Sequence, residues 1–169
     1  MRGRSSRNPT ATEEFPSTRA LDLPDLAATR ALGARLAGLI RAGDVIALSG
    51  PLGAGKSELA RALVRARAGA KIEVPSPSFT LVQDYPIGEL VLRHIDLYRL
   101  KDPSELLEIG LEAPESGEIW LVEWPEHAGG HLPTTLRITL EQGPAPDARR
   151  AHFTADASWQ TRLPSLLNG

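Results

Sequence analysis

A three-layer α/β fold around a mostly parallel central sheet, with antiparallel hairpins beside it, is the architecture this sequence predicts. Three observations predict it. The run Asp44-Val45-Ile46-Ala47-Leu48-Ser49 is short and apolar, as a strand buried on both faces of a parallel sheet is. Gly50-Pro51-Leu52-Gly53-Ala54-Gly55-Lys56-Ser57 follows at once and fits the pattern of a glycine, four residues, then Gly-Lys-Ser. Glu58-Leu59-Ala60-Arg61-Ala62-Leu63-Val64-Arg65 comes next, a good helix former with Leu59, Leu63 and Val64 on one face. Strand, glycine-rich loop and helix form the context that a phosphate-binding loop requires. The fold class is therefore P-loop NTPase-like.

Each part of the loop answers a physical demand. Glycines allow positive φ and close approach, so successive N–H groups can turn inward and cradle phosphate oxygens. The following helix points its positive end at the same anion. Lys56 brings a mobile ammonium to the β- and γ-phosphates, and the Ser57 hydroxyl suits Mg²⁺.

With 169 residues, one domain with a real core is expected. A net charge of −2 gives no basic nucleic-acid surface, so any RNA contact needs a local patch or a partner. The absence of cysteine excludes disulfides and thiolate metal sites. No apolar run approaches the roughly 20 residues of a membrane span. The expected location is cytoplasmic.

Residues 1–20 carry Arg2, Arg4, Arg7, Pro9 and Pro16 with several Ser and Thr, and read as a disordered tail ahead of a single domain over 21–169. A transit peptide is the rival reading, opposed by Glu13, Glu14 and the missing apolar face. Leu21-Asp22-Leu23 suggests a short edge strand. Asp25 stands at an N-cap ahead of Leu32, Leu36, Leu39 and Ile40 at helical spacing, in a helix stopping at Gly43. Thr29 is expected on that helix's surface, with a nucleotide contact the rival reading.

After the loop helix, Pro75-Ser76-Pro77-Ser78-Phe79-Thr80 is stiff and extended. It is either a plain loop or a switch-like segment offering Ser78 or Thr80 to Mg²⁺ or the γ-phosphate. Strands over 79–84 and 90–96 with a turn at 86–88 suggest a hairpin. Asp96 ends the second, which is expected beside the phosphate-loop strand. It is either an acid organising Mg²⁺ or water, or a cap or partner for Arg93 or Arg99. His94, between apolar neighbours, reads as structural. A helix follows Asp102-Pro103, carrying Leu106, Leu107 and Ile109.

Glu118-Ile119-Trp120-Leu121-Val122 is another apolar strand, and Glu123 ends it as a Walker B acid does, close to Mg²⁺. Trp124 either covers the nucleotide or plugs the core edge. Residues 135–140 and 150–155 suggest a second hairpin around Gly143-Pro144-Ala145-Pro146-Asp147, on which Arg149 and Arg150 read as solvated, with reach to a nucleotide the rival reading. A closing helix over 159–167 is expected to be interrupted by Pro164.

Four segments carry a family resemblance: Gly-Pro-Leu-Gly-Ala-Gly-Lys-Ser, Ser-Pro-Ser-Phe-Thr-Leu, His-Ile-Asp-Leu-Tyr-Arg-Leu and Leu-Val-Glu-Trp-Pro-Glu. In this order and spacing the chain, from about Leu21 to Ala155, resembles the TsaE (YjeE) family of bacterial P-loop ATPases required for threonylcarbamoyladenosine in tRNA. The resemblance implies ATP/ADP bound by Gly53, Ala54, Gly55, Lys56, Ser57 and Glu58, with Thr80 and Trp124 beside it, and Mg²⁺ on Ser57 and Glu123. It implies catalytic roles for Asp96, Lys56 and Glu123. It also implies action with TsaD and TsaB, ATP hydrolysis resetting that transferase and tRNA involved only through the complex. The family usually has aspartate where Pro51 stands and threonine at Ser57 and Ser78.

Two other readings share the loop. A small-molecule kinase usually closes an arginine-rich lid over the phosphates, yet between Asp96 and Glu123 the basic residues are Arg99 and Lys101. A nucleotide-gated binding module with negligible turnover is the other, and hydrolysis with and without partners separates it.

Overall fold

A computed structural model describes residues 18–69 and 71–169. The first strand, β1 (Arg19–Leu23), precedes helix α1 (Leu26–Leu39). Asp25 caps that helix, its carboxylate accepting from Ala28 N at 2.8 Å, because a short acceptor there satisfies a donor the first turn leaves open. Strand β2 (Val45–Ser49) runs into the glycine-rich loop, and helix α2 (Lys56–Ala68) leaves it. The hairpin β3 (Val82–Ile87) and β4 (Leu90–Asp96) follows, then the single-turn α3 (Glu105–Glu108) and β5 (Glu118–Glu123). A 3₁₀ segment (Pro125–Ala128), the hairpin β6 (Leu136–Gln142) and β7 (Arg149–Ala155), a 3₁₀ turn (Ala157–Trp159) and α4 (Leu163–Leu167) complete the chain.

The strands form one seven-stranded sheet in the order β1-β7-β6-β2-β5-β4-β3. Its centre is parallel, β6 with β2, β2 with β5 and β5 with β4, and each flank is an antiparallel addition. The predicted α/β class holds. One expectation about it does not: β4 is not the neighbour of β2, because β5 lies between them. Asp96 therefore stands opposite Glu123 rather than opposite a residue of the loop strand.

Side chains alternate across the sheet. Ile46, Leu48, Leu92, Ile119 and Leu121 pack with α1, α2 and α4, whereas Val45, Ile95, Trp120 and Val122 pack with Leu106 and Ala128 on the other face. The two main helices meet at Gly33, where a Cβ would lie 2.6 Å from Ala62 Cβ. Thr29, expected at the surface, is buried.

Several boundaries differ from expectation. Arg19 and Ala20, placed in a tail over 1–20 by the sequence, are strand residues; residues 1–17 lie outside the described residues. Phe79 and Thr80 belong to a turn closed by Leu81 N donating to Pro77 O at 2.7 Å, with Leu81 itself at φ 64°, so the strand starts at Val82. Pro86 sits inside β3, which an edge strand tolerates, and the chain reverses at Gly88-Glu89 instead. Pro164 does not interrupt the last helix but sits in its first turn, where a missing N–H costs nothing.

A buried ion pair ties the C-terminus to the sheet. Arg162 donates to both carboxylate oxygens of Asp44, at 2.6 and 2.9 Å, and to Leu39 O at 2.9 Å, with both side chains 5 % exposed. Removing one partner of such a pair leaves an uncompensated buried charge. Arg162→Ala is expected to lower unfolding free energy by about 3–5 kcal/mol, read from the urea midpoint. A shift under about 1 kcal/mol, the value of an exposed pair, refutes this role.

Candidate functional site

The site forms where the parallel strands end and α2 begins. Alternation along β5 puts Glu123 on the face of Ile119 and Leu121, toward α2, and along β4 it puts His94 and Asp96 on the same face as Leu92. Ser57 Oγ accordingly donates to Glu123 Oε2 at 3.2 Å, across 66 residues of sequence. His94 Nε2 lies 3.3 Å from Glu123 Oε1. Since a carboxylate only accepts, the histidine carries its proton on Nε2 and orients the acid; its Nδ1 is buried without a partner. His94 is thus structural toward the site rather than toward the core alone.

Gly50 opens the loop at φ 137°, where a Cβ would lie 2.4 Å from Leu140 O of β6. Only glycine fits so close to another backbone. Gly53 (φ 79°) and Gly55 (φ 100°) carry the chain into α2. Lys56 folds back over the loop, donating to Gly50 O and to Pro51 O, and its ammonium lies 4.0 Å from the Trp124 ring centroid. The lysine is buried, not exposed. Burial holds its pKa below the ordinary lysine value, against the opposing pull of Glu123, Glu126 and Asp96.

Trp124 stands in the left-handed region at φ 57°, ψ 48°, a conformation costing roughly 1–2 kcal/mol for such a residue. The twist turns its ring away from the strand toward Tyr98 and His127, at centroid distances of 5.0 and 5.8 Å. His127 Nδ1 donates to Leu97 O at 2.7 Å, which fixes that wall. Of these aromatics, Trp124 carries the Lys56 ammonium over its ring.

Asp96 is buried. It accepts from Ser76 Oγ at 3.0 Å and from Tyr98 N at 2.9 Å, so the proline-bound segment does reach the acid, through Ser76. Ser78 and Thr80, the residues the switch-like reading offers to Mg²⁺ or phosphate, make no side-chain hydrogen bond among the described residues, and Thr80 is exposed. Glu58 turns away from the loop: Arg30 and Arg61 hold its carboxylate at 2.8 and 2.9 Å. The hydrogen bond from Arg30 is the main reason its pKa lies below the ordinary value. Its side chain belongs to the α1–α2 contact, and its backbone N–H lies in the first turn of α2. Arg149, read as solvated, instead reaches the loop backbone, and no local pattern in the sequence signals this.

Ser57 and Glu123 offer the hard oxygen ligands that Mg²⁺ takes, and their contact shows that both reach one point. Among the described residues no three His, Cys, Asp or Glu side chains gather into a metal cage. Mg²⁺ characteristically uses one or two protein groups and completes its shell with phosphate and water, so the donor set fits. Among the described residues no helix is long and apolar enough to cross a membrane.

Sheet order, glycine-rich loop and the acid at the end of β5 define a protein of the P-loop NTPase-like class. A crystal structure of YdiB from Bacillus subtilis superposes with a TM-score of 0.69 at 27 % identity, over 90 % of this chain and 95 % of that one. The family model described as "Threonylcarbamoyl adenosine biosynthesis protein TsaE" matches residues 23–151. Proteins named tRNA threonylcarbamoyladenosine biosynthesis protein TsaE are similar to this chain. The one from Rickettsia felis is 38 % identical over 114 residues, 67 % of each chain. That from Bacillus subtilis is 36 % identical over 129 residues, 75 % of this chain and 79 % of the relative. That from Synechocystis is 44 % identical over 112 residues, 62 % and 68 %. The chain belongs to the TsaE family, and so to the biosynthesis of threonylcarbamoyladenosine in tRNA.

Proposed function

We propose that this protein binds and hydrolyses Mg²⁺-ATP in the cytoplasm and uses the hydrolysis to reset the TsaD–TsaB transferase between rounds of tRNA modification. The observation that carries this reading is the contact of Ser57 with Glu123 beside the buried Lys56. It brings the hydroxyl, the acid and the ammonium of a phosphoryl-transfer site together from two distant parts of the chain. Such sites work mainly by positioning and by electrostatic stabilisation.

Lys56 has two backbone carbonyls as stand-ins for phosphate oxygens. Nucleotide phosphates would take their place and return the charge to a favourable setting. Ser57 and Glu123 would hold Mg²⁺, with His94 fixing the acid's second oxygen. Bound there, Mg²⁺ would neutralise developing charge on the phosphates. Asp96, one strand further from β2 and opposite Glu123 in the sheet, would orient the attacking water. Ser76 links that acid to the 75–80 segment, a route by which a partner or nucleotide state could act on it.

The test is hydrolysis measured with the protein alone and with TsaD–TsaB, alongside modified tRNA formed per transferase molecule. Partner-stimulated hydrolysis with repeated turnover is expected. Repeated turnover with a non-hydrolysable ATP analogue overturns the resetting step and favours nucleotide gating without chemistry.

A further inference from the structure

Arg149, on the first residue of β7, is placed where neither a surface hairpin nor an ion pair needs it. Its Nε donates to Ala54 O at 2.9 Å and its Nη2 to Gly53 O at 3.0 Å, both in the glycine-rich loop. Its Nη1 donates to Pro146 O and Ala148 O, each at 2.7 Å, in the β6–β7 turn. Four of the five guanidinium donors are thus spent on backbone carbonyls. Among the described residues no ion pair includes Arg149. By contrast its neighbour Arg150, half-exposed, pairs loosely with Asp22 at 3.6 Å.

The consequence lies in the peptide planes. The C=O and N–H of a trans peptide point in opposite directions. Ala54 O, held outward on Arg149, therefore turns the Gly55 N–H inward, into the hollow of the loop. The preceding peptide is held at both ends: Gly53 O by Arg149, and Ala54 N by Pro51 O at 3.1 Å. Glycines at positive φ, such as Gly53 and Gly55, can flip such planes at little cost, and a flipped plane would aim a carbonyl at the anion. We infer that Arg149 is a positioning residue: it clamps the loop from behind, keeps the Gly53 and Ala54 carbonyls out and the Gly55 N–H in, and so prepares the loop for phosphate. A fork is required, because four carbonyls in two separate turns are held at once, and an ammonium has only three donors, all on one atom.

This rests on the reading of the loop as a phosphate site, and the test separates the two. Arg149→Lys, Arg149→Ala and, as control, Arg150→Ala are titrated with ADP and with inorganic tripolyphosphate by calorimetry. Amide NMR spectra of the ligand-free proteins are compared. For Arg149→Lys both ligands are expected to weaken alike, on the order of tenfold, as when a group supporting a ligand shell is lost. Gly53 and Gly55 amide resonances are expected to shift or broaden while Gly43 and Gly88 stay in place, and Arg150→Ala changes neither. If Arg149→Ala fails to fold, Arg149→Lys decides. Loss for ADP alone would make Arg149 a contact to the nucleoside and overturn the clamp. Unchanged affinity with undisturbed glycine amides overturns it too. A wild-type protein that binds neither ligand refutes the phosphate site itself, whereas the amide spectra still report on the clamp.

Discussion

Lys56→Ala is expected to weaken ADP binding by about a hundredfold, the loss of charge-assisted hydrogen bonds worth about 3 kcal/mol, and to leave the fold intact. The buried setting of this lysine makes the second half of that expectation stronger. In the ligand-free protein the ammonium is desolvated, which lowers its pKa; the charged form is therefore held at a cost. The sign follows from that. Stability is diminished while the lysine is charged and recovers as pH rises through its lowered pKa toward the ordinary value. The alanine protein lacks the cost and is expected to melt no lower than wild type, apart from the small loss of contact with Trp124. Nucleotide phosphates favour the charged form, so wild-type ADP affinity should be flat at lower pH and decline once pH exceeds the ligand-free pKa. Binding in that range should take up a proton, seen as a calorimetric heat that depends on the buffer. Lys56→Met, which keeps the apolar stem, is expected to lose both affinity and proton uptake. Undiminished ADP affinity in a folded Lys56 variant removes the loop from the site.

The parts of this arrangement that were legible in the sequence are those whose cause is local. An apolar run, a glycine-rich turn and a helix former in immediate succession specify β2, the loop and α2, because each depends only on its own residues. Asp25 and the strand ends at Asp96 and Glu123 belong to the same kind. Sheet order is not local. Which strand lies between β2 and β4 is decided by the packing of helices from both sides, so the position of Asp96 one strand further out was not legible. Side-chain destinations were obscured in the same way. Glu58 looks like a loop residue by adjacency, yet helical rotation turns it to Arg30 on α1. Ser76 meets Asp96 from 20 residues away, and nothing within the 75–80 segment marks that contact. Arg149 acts 95 residues away from Ala54, and nothing in its neighbourhood marks it.

Asp96→Asn is expected to separate binding from turnover, with ATP affinity close to wild type and hydrolysis reduced by about a hundredfold, the usual worth of a positioned acid or base. The substitution is unusually clean here. Asn keeps an oxygen to accept from Tyr98 N, and its amide can donate to Ser76 Oγ, whose hydroxyl accepts as readily as it donates. Volume and both contacts survive, and only the charge goes. The buried acid is in no ion pair among the described residues, so losing the charge breaks no salt bridge and removes only its weaker pull on the Lys56 ammonium. A carboxylate that orients water chiefly in the transition state lowers kcat without raising KM when it is lost. Ser76→Ala, which frees the same oxygen from the 75–80 segment but keeps the charge, is expected to cost less than Asp96→Asn. The decisive measurement is modified tRNA formed per transferase molecule with each variant added. A single round with Asp96→Asn and many with wild type is the expected result. Repeated rounds with the variant, despite slow hydrolysis, would mean that nucleotide binding alone resets the transferase. A parallel loss of ATP affinity would make Asp96 part of the binding surface instead.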